Sequence, residues 1–191
     1  MPFKLPVSIR IQKKELKKNI LITGNPGVGK TTVIRTIAEE LKGFQPVGFY
    51  TSEIREHGIR KGFELISLSG DKGILSHINI ESSYRVGKYN VNLKGFESFL
   101  DTLPLRNDSV SLIIIDEIGK MECFSHYFIK ITREILSSSK VFLASISLKG
   151  SGLIAEIKTR KDIELFELRK DNRNSLMSDV IAYIRALLNN L

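Results

Sequence analysis

Three glycines within six residues, followed at once by a lysine and two threonines, constrain this chain more than any other stretch. Residues 24–32 read Gly24-Asn25-Pro26-Gly27-Val28-Gly29-Lys30-Thr31-Thr32. The apolar run Ile20-Leu21-Ile22 before them has the length of a buried strand. Val33, Ile34, Ile37, Ala38 and Leu41 follow at helical spacing. Strand, glycine-rich turn and helix in this order are the context that a phosphate-binding loop needs. Gly24-x-x-x-x-Gly29-Lys30-Thr31 fits that pattern at every fixed position. The chemistry follows from the residue types. Glycines let successive backbone N–H groups converge on phosphate oxygens. The helix that begins there points its positive end at the same anion. Lys30 can reach the β- and γ-phosphates, and the Thr31 hydroxyl can bind Mg²⁺. The plainer reading is a glycine-rich turn that only caps a helix. It leaves the lysine and threonine at their fixed places unexplained.

A second stretch supplies carboxylates. Leu112-Ile113-Ile114-Ile115 is apolar throughout, as a parallel strand buried on both faces requires, and Asp116-Glu117 stands at its C-terminal end. Ligand sites in open α/β sheets lie at that edge. Asp116 is placed to bind Mg²⁺, and Glu117 to orient or deprotonate an attacking water. An acidic turn after a strand is a weak signal alone; paired with the phosphate-loop pattern it gains weight.

The remaining pattern predicts an α/β chain with a mostly parallel sheet between helices. Residues 46–78 carry turns at Glu56-His57-Gly58 and at 70–73, so a hairpin or three-stranded antiparallel meander is inserted there. Residues 84–91 read as a loop. Helices are expected at 93–103, ending before Pro104, and at 124–136, 153–158 and 175–188; strands at 140–146 and 163–168, the last alternating as an edge strand does. Residues 1–18 form an N-terminal extension to a single domain at 19–191. Ser8-Ile9-Arg10-Ile11-Gln12 alternates and suits a short strand or an ordered arm, and Lys13, Lys14, Lys17 and Lys18 form a solvated linker.

Composition narrows the class. A chain of 191 residues with 42% hydrophobic and 26% charged residues is ordinary for a globular protein. The single cysteine, Cys123, excludes an intrachain disulfide and suits a reducing, cytoplasmic compartment, and no run approaches the length of a spanning helix. The net charge of +8 fits an anionic nucleotide ligand. A nucleic-acid partner is disfavoured, because the basic residues are spread out and no basic stripe carries interleaved aromatics. His57, His77 and His126 lack metal-ligand spacing, and Cys123 reads as a buried thiol rather than a nucleophile.

In four stretches the chain resembles the cytosolic nucleoside-triphosphatase family that includes the cancer-related nucleoside-triphosphatase. They are the phosphate loop at 24–32; Gly48-Phe49-Tyr50-Thr51-Ser52-Glu53-Ile54-Arg55 with Gly62-Phe63; Asp116-Glu117-Ile118-Gly119-Lys120-Met121-Glu122; and Asp171-Asn172-Arg173. The likeness runs from about residue 19 to the C-terminus. Ser52 and Asn174 stand where the family pattern has acids. The resemblance implies a phosphate-loop NTPase fold, a three-layer sandwich. It implies Mg²⁺-dependent hydrolysis of ATP, GTP and other nucleoside triphosphates to diphosphate and phosphate, with broad base tolerance. Lys30, Thr31, Asp116 and Glu117 map onto its phosphate and metal site. Arg55 maps onto the hairpin arginine, a candidate to neutralise γ-phosphate charge or else a strand arginine paired with Glu53 or Glu64. Asn172 and Arg173 are candidates to flank the base. The state expected is a monomer. Two other functions stay open at this point: a nucleotide or small-molecule kinase whose lid carries Arg55, Arg60 and Arg85, and a nucleotide-controlled nucleic-acid switch that uses the lysines at 13–18.

Overall fold

The computed structural model describes residues 16–190. The expected strand or arm at residues 8–12 and Lys13 and Lys14 lie outside them. Lys17 and Lys18 do not form a solvated linker: Lys17 Nζ donates to the Ile163 carbonyl at 2.7 Å, and Lys18 Nζ donates to the Ser138 carbonyl.

Strand β1 (Asn19–Thr23) is buried at every position. Helix α1 (Lys30–Glu40) follows the glycine loop. Strands β2 (Val47–Glu56), β3 (Ile59–Ser67) and β4 (Lys72–His77) are the antiparallel meander, and β5 (Arg85–Val86) and β6 (Tyr89–Val91) extend it. Then come α2 (Leu93–Asp101), β7 (Leu112–Ile118), α3 (His126–Ser137), β8 (Val141–Ile146), α4 (Leu153–Thr159), β9 (Ile163–Glu167) and α5 (Arg173–Leu188). Among the described residues one nine-stranded sheet runs β5-β6-β4-β3-β2-β7-β8-β1-β9. The run β2-β7-β8-β1-β9 is parallel, and every pairing beyond β2 is antiparallel.

Alternation along the central strands makes the layers. Ile20, Ile22, Leu112, Ile114 and Leu143 face α1 and α5, where Val33, Ile37, Val180 and Ile184 cover them. Leu21, Ile113, Ile115, Phe142 and Ala144 face the other way, under Phe96, Phe128, Ile131 and Ile157. A fully buried Leu, Ile or Phe contributes roughly 1.5–3 kcal/mol, so the continuous apolar runs hold the centre of the sheet. This is the three-layer α/β sandwich that the sequence predicts.

Several boundaries differ from the sequence reading, α2 ending at Asp101 rather than at 103 among them, and three bear on the site or have a clear local reason. The loop expected at 84–91 is a tight hairpin: Val86 pairs with Tyr89 across Gly87-Lys88, and Val91 pairs with Ser76 of β4. Strands of two and three residues are too short to show a period. Helix α3 starts later than expected because Ser125 caps it, accepting the Phe128 N–H at 3.0 Å. Helix α5 starts earlier, which places Arg173 in its first turn.

Candidate active site

The loops after β1, β7 and β8 meet at the C-terminal edge of the parallel strands, where β2 and β3 overhang them. Between them lies a cavity of about 800 Å³, lined by Gly24, Asn25, Pro26, Gly27, Gly29, Lys30 and Thr31 on one side. Thr51, Ser52, Glu53, Arg60 and Phe63 line it from the hairpin, and Glu117, Ser147, Leu148 and Lys149 from the other strands. A space of this size holds a ligand as large as a nucleotide.

The glycine loop is built to leave donors free. Gly29 precedes α1 with φ +103°, a region in which a side chain is strained, and no side chain among the described residues caps the helix. The first amides of α1 are therefore left for an anion. Lys30 is buried and folds back over the loop, its Nζ 3.3 Å from the Gly24 carbonyl. From below, Arg173 donates to the Val28 carbonyl at 2.6 Å, and its guanidinium lies so close to Gly29 that a Cβ there would stand 2.9 Å from Nη2. The buried Arg173 Nε has no partner among the described residues.

Asp116 lies behind the loop, fully buried. Thr31 donates to its Oδ2 at 2.7 Å, Thr51 reaches the same oxygen at 3.4 Å, and Ser145 donates to Oδ1. Burial pushes its carboxyl above the usual range, and the hydrogen bonds from Ser145 and Thr31 pull the other way. Glu117 faces the cavity, and its Oε1 accepts from Ser147 Oγ at 2.7 Å. The Asp116–Glu117 peptide is cis. A third carboxyl, Glu122, is buried on the same turn. Burial pushes it up to about 8, and the charges of Glu117 and Asp116 push the same way. Gly119 is where these groups meet. A Cβ there would stand 2.8 Å from Glu122 Oε2, 3.4 Å from Ser147 Oγ and 3.6 Å from Glu117 Cδ. Next to Glu122, burial pushes the Cys123 thiol up to about 12, so it stays protonated and is no nucleophile.

The residues singled out from the sequence divide into groups. Gly24, Asn25, Pro26, Gly27, Gly29, Lys30, Thr31 and Glu117 line the cavity, with Asp116 behind Thr31. Val28 turns into the core, and Thr32 lines a neighbouring groove beside Arg35 and Tyr50. Asn172 holds the chain before α5, accepting the Arg169 N–H and donating to the Glu167 carbonyl. Arg55 does not line the cavity. Its Nε and Nη2 lie 2.7 and 2.6 Å from Glu53 Oε2, and its Nη1 donates to the Gly58 carbonyl at the hairpin turn. This is the strand-arginine pairing with Glu53 that the sequence left open beside a phosphate role. Ser145, Ser147, Thr51 and Glu122 carry no role of their own in the sequence reading, and Arg60 enters it only as part of a kinase lid. Of these, only Ser145 carries a local signal, as the single polar residue inside Val141-Phe142-Leu143-Ala144-Ser145-Ile146. Arg85 spends its Nε on the Gly87 carbonyl, and the segment that could have been a kinase lid is part of the sheet.

A phosphate-type loop after β1 and a carboxylate pair near the end of β7, two strands away in the same parallel run, define a nucleotide-binding α/β protein of the phosphate-loop class. The profile of the NTPase family matches residues 19–181, and the chain belongs to that family. It is 44% identical over 167 residues to nucleoside-triphosphatase THEP1 of Thermotoga sp. (strain RQ2), covering 87% of this chain and 95% of the relative. The crystal structure of THEP1 from Aquifex aeolicus superposes with a TM-score of 0.78 at 36% identity, covering 87% of this chain and 98% of the other. The solution structure of a human cancer-related nucleoside triphosphatase superposes with a TM-score of 0.77 at 40% identity, covering 88% and 97%.

Proposed function

We propose that this chain hydrolyses nucleoside triphosphates to diphosphate and phosphate by in-line attack of water on the γ-phosphorus. The names of its relatives support the activity. The observation that carries the reading is the placement of Glu117, held by Ser147 at the cavity wall that faces the glycine loop and Lys30. The loop amides and Lys30 hold the phosphates. Glu117 orients the water and takes its proton as the bond from the γ-phosphorus to the diphosphate oxygen breaks. Ser147 fixes the carboxylate for that task.

Thr31 and Asp116 would hold Mg²⁺. The fit rests on their chemistry: a hydroxyl and a carboxylate in contact, both hard oxygen ligands, with the carboxylate buried. Among the described residues no cluster of three or more His, Cys, Asp and Glu could hold a metal ion by protein ligands alone. That suits an ion which arrives with the phosphates and neutralises charge on their oxygens. Asn172 and Arg173, at the start of α5 below the loop, are the candidates to flank the base. Broad base tolerance, a monomeric state, independence from nucleic acid and a cytoplasmic site of action belong to the same proposal. Among the described residues no helix is long and apolar enough to cross a membrane. Lys17, tied to β9, and Lys18, tied to the C-terminal end of α3, weaken the case for a basic nucleic-acid clamp.

Free-phosphate release from ATP, GTP, CTP and UTP, with and without Mg²⁺, tests the reading. Expected are rates within about tenfold of one another that vanish on chelation. Release of pyrophosphate, or transfer of labelled γ-phosphate to an organic acceptor, would replace it.

A further inference from the structure

Two arginines face each other across the β2–β3 hairpin: Arg55 and Arg60 are cross-strand partners. Like charges placed so repel, and Glu53 lies between them, giving Oε2 to Arg55 and Oε1 to Arg60. The two guanidinium groups nevertheless differ in what they have left to give. Arg55 spends all three nitrogens, on Glu53 and the Gly58 carbonyl, away from the cavity. Arg60 spends two. Its Nε donates to Tyr89 Oη at 2.8 Å and its Nη1 to Glu53 Oε1 at 2.7 Å. Its Nη2 makes no hydrogen bond among the described residues. The planar group rests over the rings of Phe63 and Tyr89, 5.2 and 5.5 Å from their centroids. Arg60, Glu53 and Phe63 line the cavity together with the glycine loop and Glu117.

From this we infer that Arg60, and not Arg55, is the cation that meets the terminal phosphate. Tyr89 and Glu53 hold the guanidinium at the cavity wall, and Nη2 donates to a γ-phosphate oxygen. The charge that builds on those oxygens in the transition state draws on this donor more than the bound triphosphate does, so the effect falls on the rate. Glu53, already shared, is the group from which the phosphate can take the arginine over. The inference rests on the hydrolytic reading above.

Single-turnover phosphate release and equilibrium binding of nucleoside diphosphate test it together. Arg60→Ala should lower the hydrolytic rate about 10³-fold, the low end for an arginine in this role, and leave diphosphate affinity within about twofold. Arg60→Lys keeps the charge but loses the fork and should recover less than a tenth of the rate. Arg55→Ala should change the rate less than about fivefold. Tyr89→Phe keeps the ring, is the gentler variant should Arg60→Ala fail to fold, and should slow hydrolysis several-fold at unchanged diphosphate affinity. An Arg60→Ala protein that keeps its rate overturns the inference, as does one that loses diphosphate and triphosphate affinity equally. A larger loss in Arg55→Ala, or an unaltered Tyr89→Phe rate, also overturns it. A wild-type chain without turnover removes the hydrolytic reading itself and this inference with it. Turnover that survives in Arg60→Ala removes this inference alone.

Discussion

Replacing Glu117 with Gln should reduce phosphate release by about 10²–10⁴-fold, the usual contribution of a general base, while nucleotide still binds. Gln keeps the length of the side chain and still offers an oxygen to Ser147 Oγ, which now lies 2.7 Å from Glu117 Oε1. It cannot accept the proton of the attacking water. The residue lies outside the loop proposed to grip the phosphates, so affinity for a non-hydrolysable triphosphate should stay within about twofold. Lys30→Ala gives the contrast. Lys30 is buried over the loop proposed to hold the phosphates, and its removal should weaken binding and turnover together. Single-turnover release beside equilibrium binding separates the two patterns. Unchanged turnover in Glu117→Gln would take Glu117 out of the mechanism.

The second large effect concerns stability. Glu122 has an ordinary value of 4.5 and is pushed up to about 8 in the fold, chiefly by burial. In the unfolded chain it ionises above about 4.5, whereas in the fold it keeps its proton until about 8. Between those limits the native state binds more protons than the unfolded state, so stability falls as pH rises and then levels off. The loss across the window is on the order of a few kcal/mol, since each tenfold difference in proton affinity corresponds to about 1.4 kcal/mol. Asp116 is raised by burial in the same direction and adds to the slope. Glu53, Asp162 and Glu156 are lowered by their arginine partners, so their contribution is lost only at lower pH, as the medium passes down through their folded values. Urea denaturation at pH 5, 6, 7 and 8 in metal-free buffer should show Glu122→Gln gaining on the wild type as pH rises. Parallel curves would mean that Glu122 is ionised in the fold.

The phosphate loop was legible because its chemistry demands fixed residue types at fixed spacing on a short local segment. Asp116 and Glu117 were legible because an apolar run ends in them. The partners that aim those groups were not. Ser147 meets Glu117, and Thr51 meets Asp116, through tertiary contacts between strands far apart in sequence. The hairpin arginines show the same limit: the register sets them opposite each other, and only tertiary contacts tell them apart, Tyr89 holding Arg60 at the cavity and the Gly58 carbonyl holding Arg55 at the turn. Helices with clear periodicity were read correctly, and the start of α3 moved to where Ser125 could cap it, while α2 begins at Leu93 as expected, capped by Asn92. Segment 84–91 was missed because its order comes from pairing with β4, not from its own pattern.

The position of β1 in the sheet has a consequence for how the molecule is made. Its two neighbours are β8 and β9, near the other end of the chain. The arginine that steadies the glycine loop, Arg173, comes later still. On a ribosome, β1 therefore waits, apolar and unmatched, until β8 and β9 have followed it out of the exit tunnel. The cradle proposed for the nucleotide closes only when these later segments arrive, long after most of its own residues have been translated.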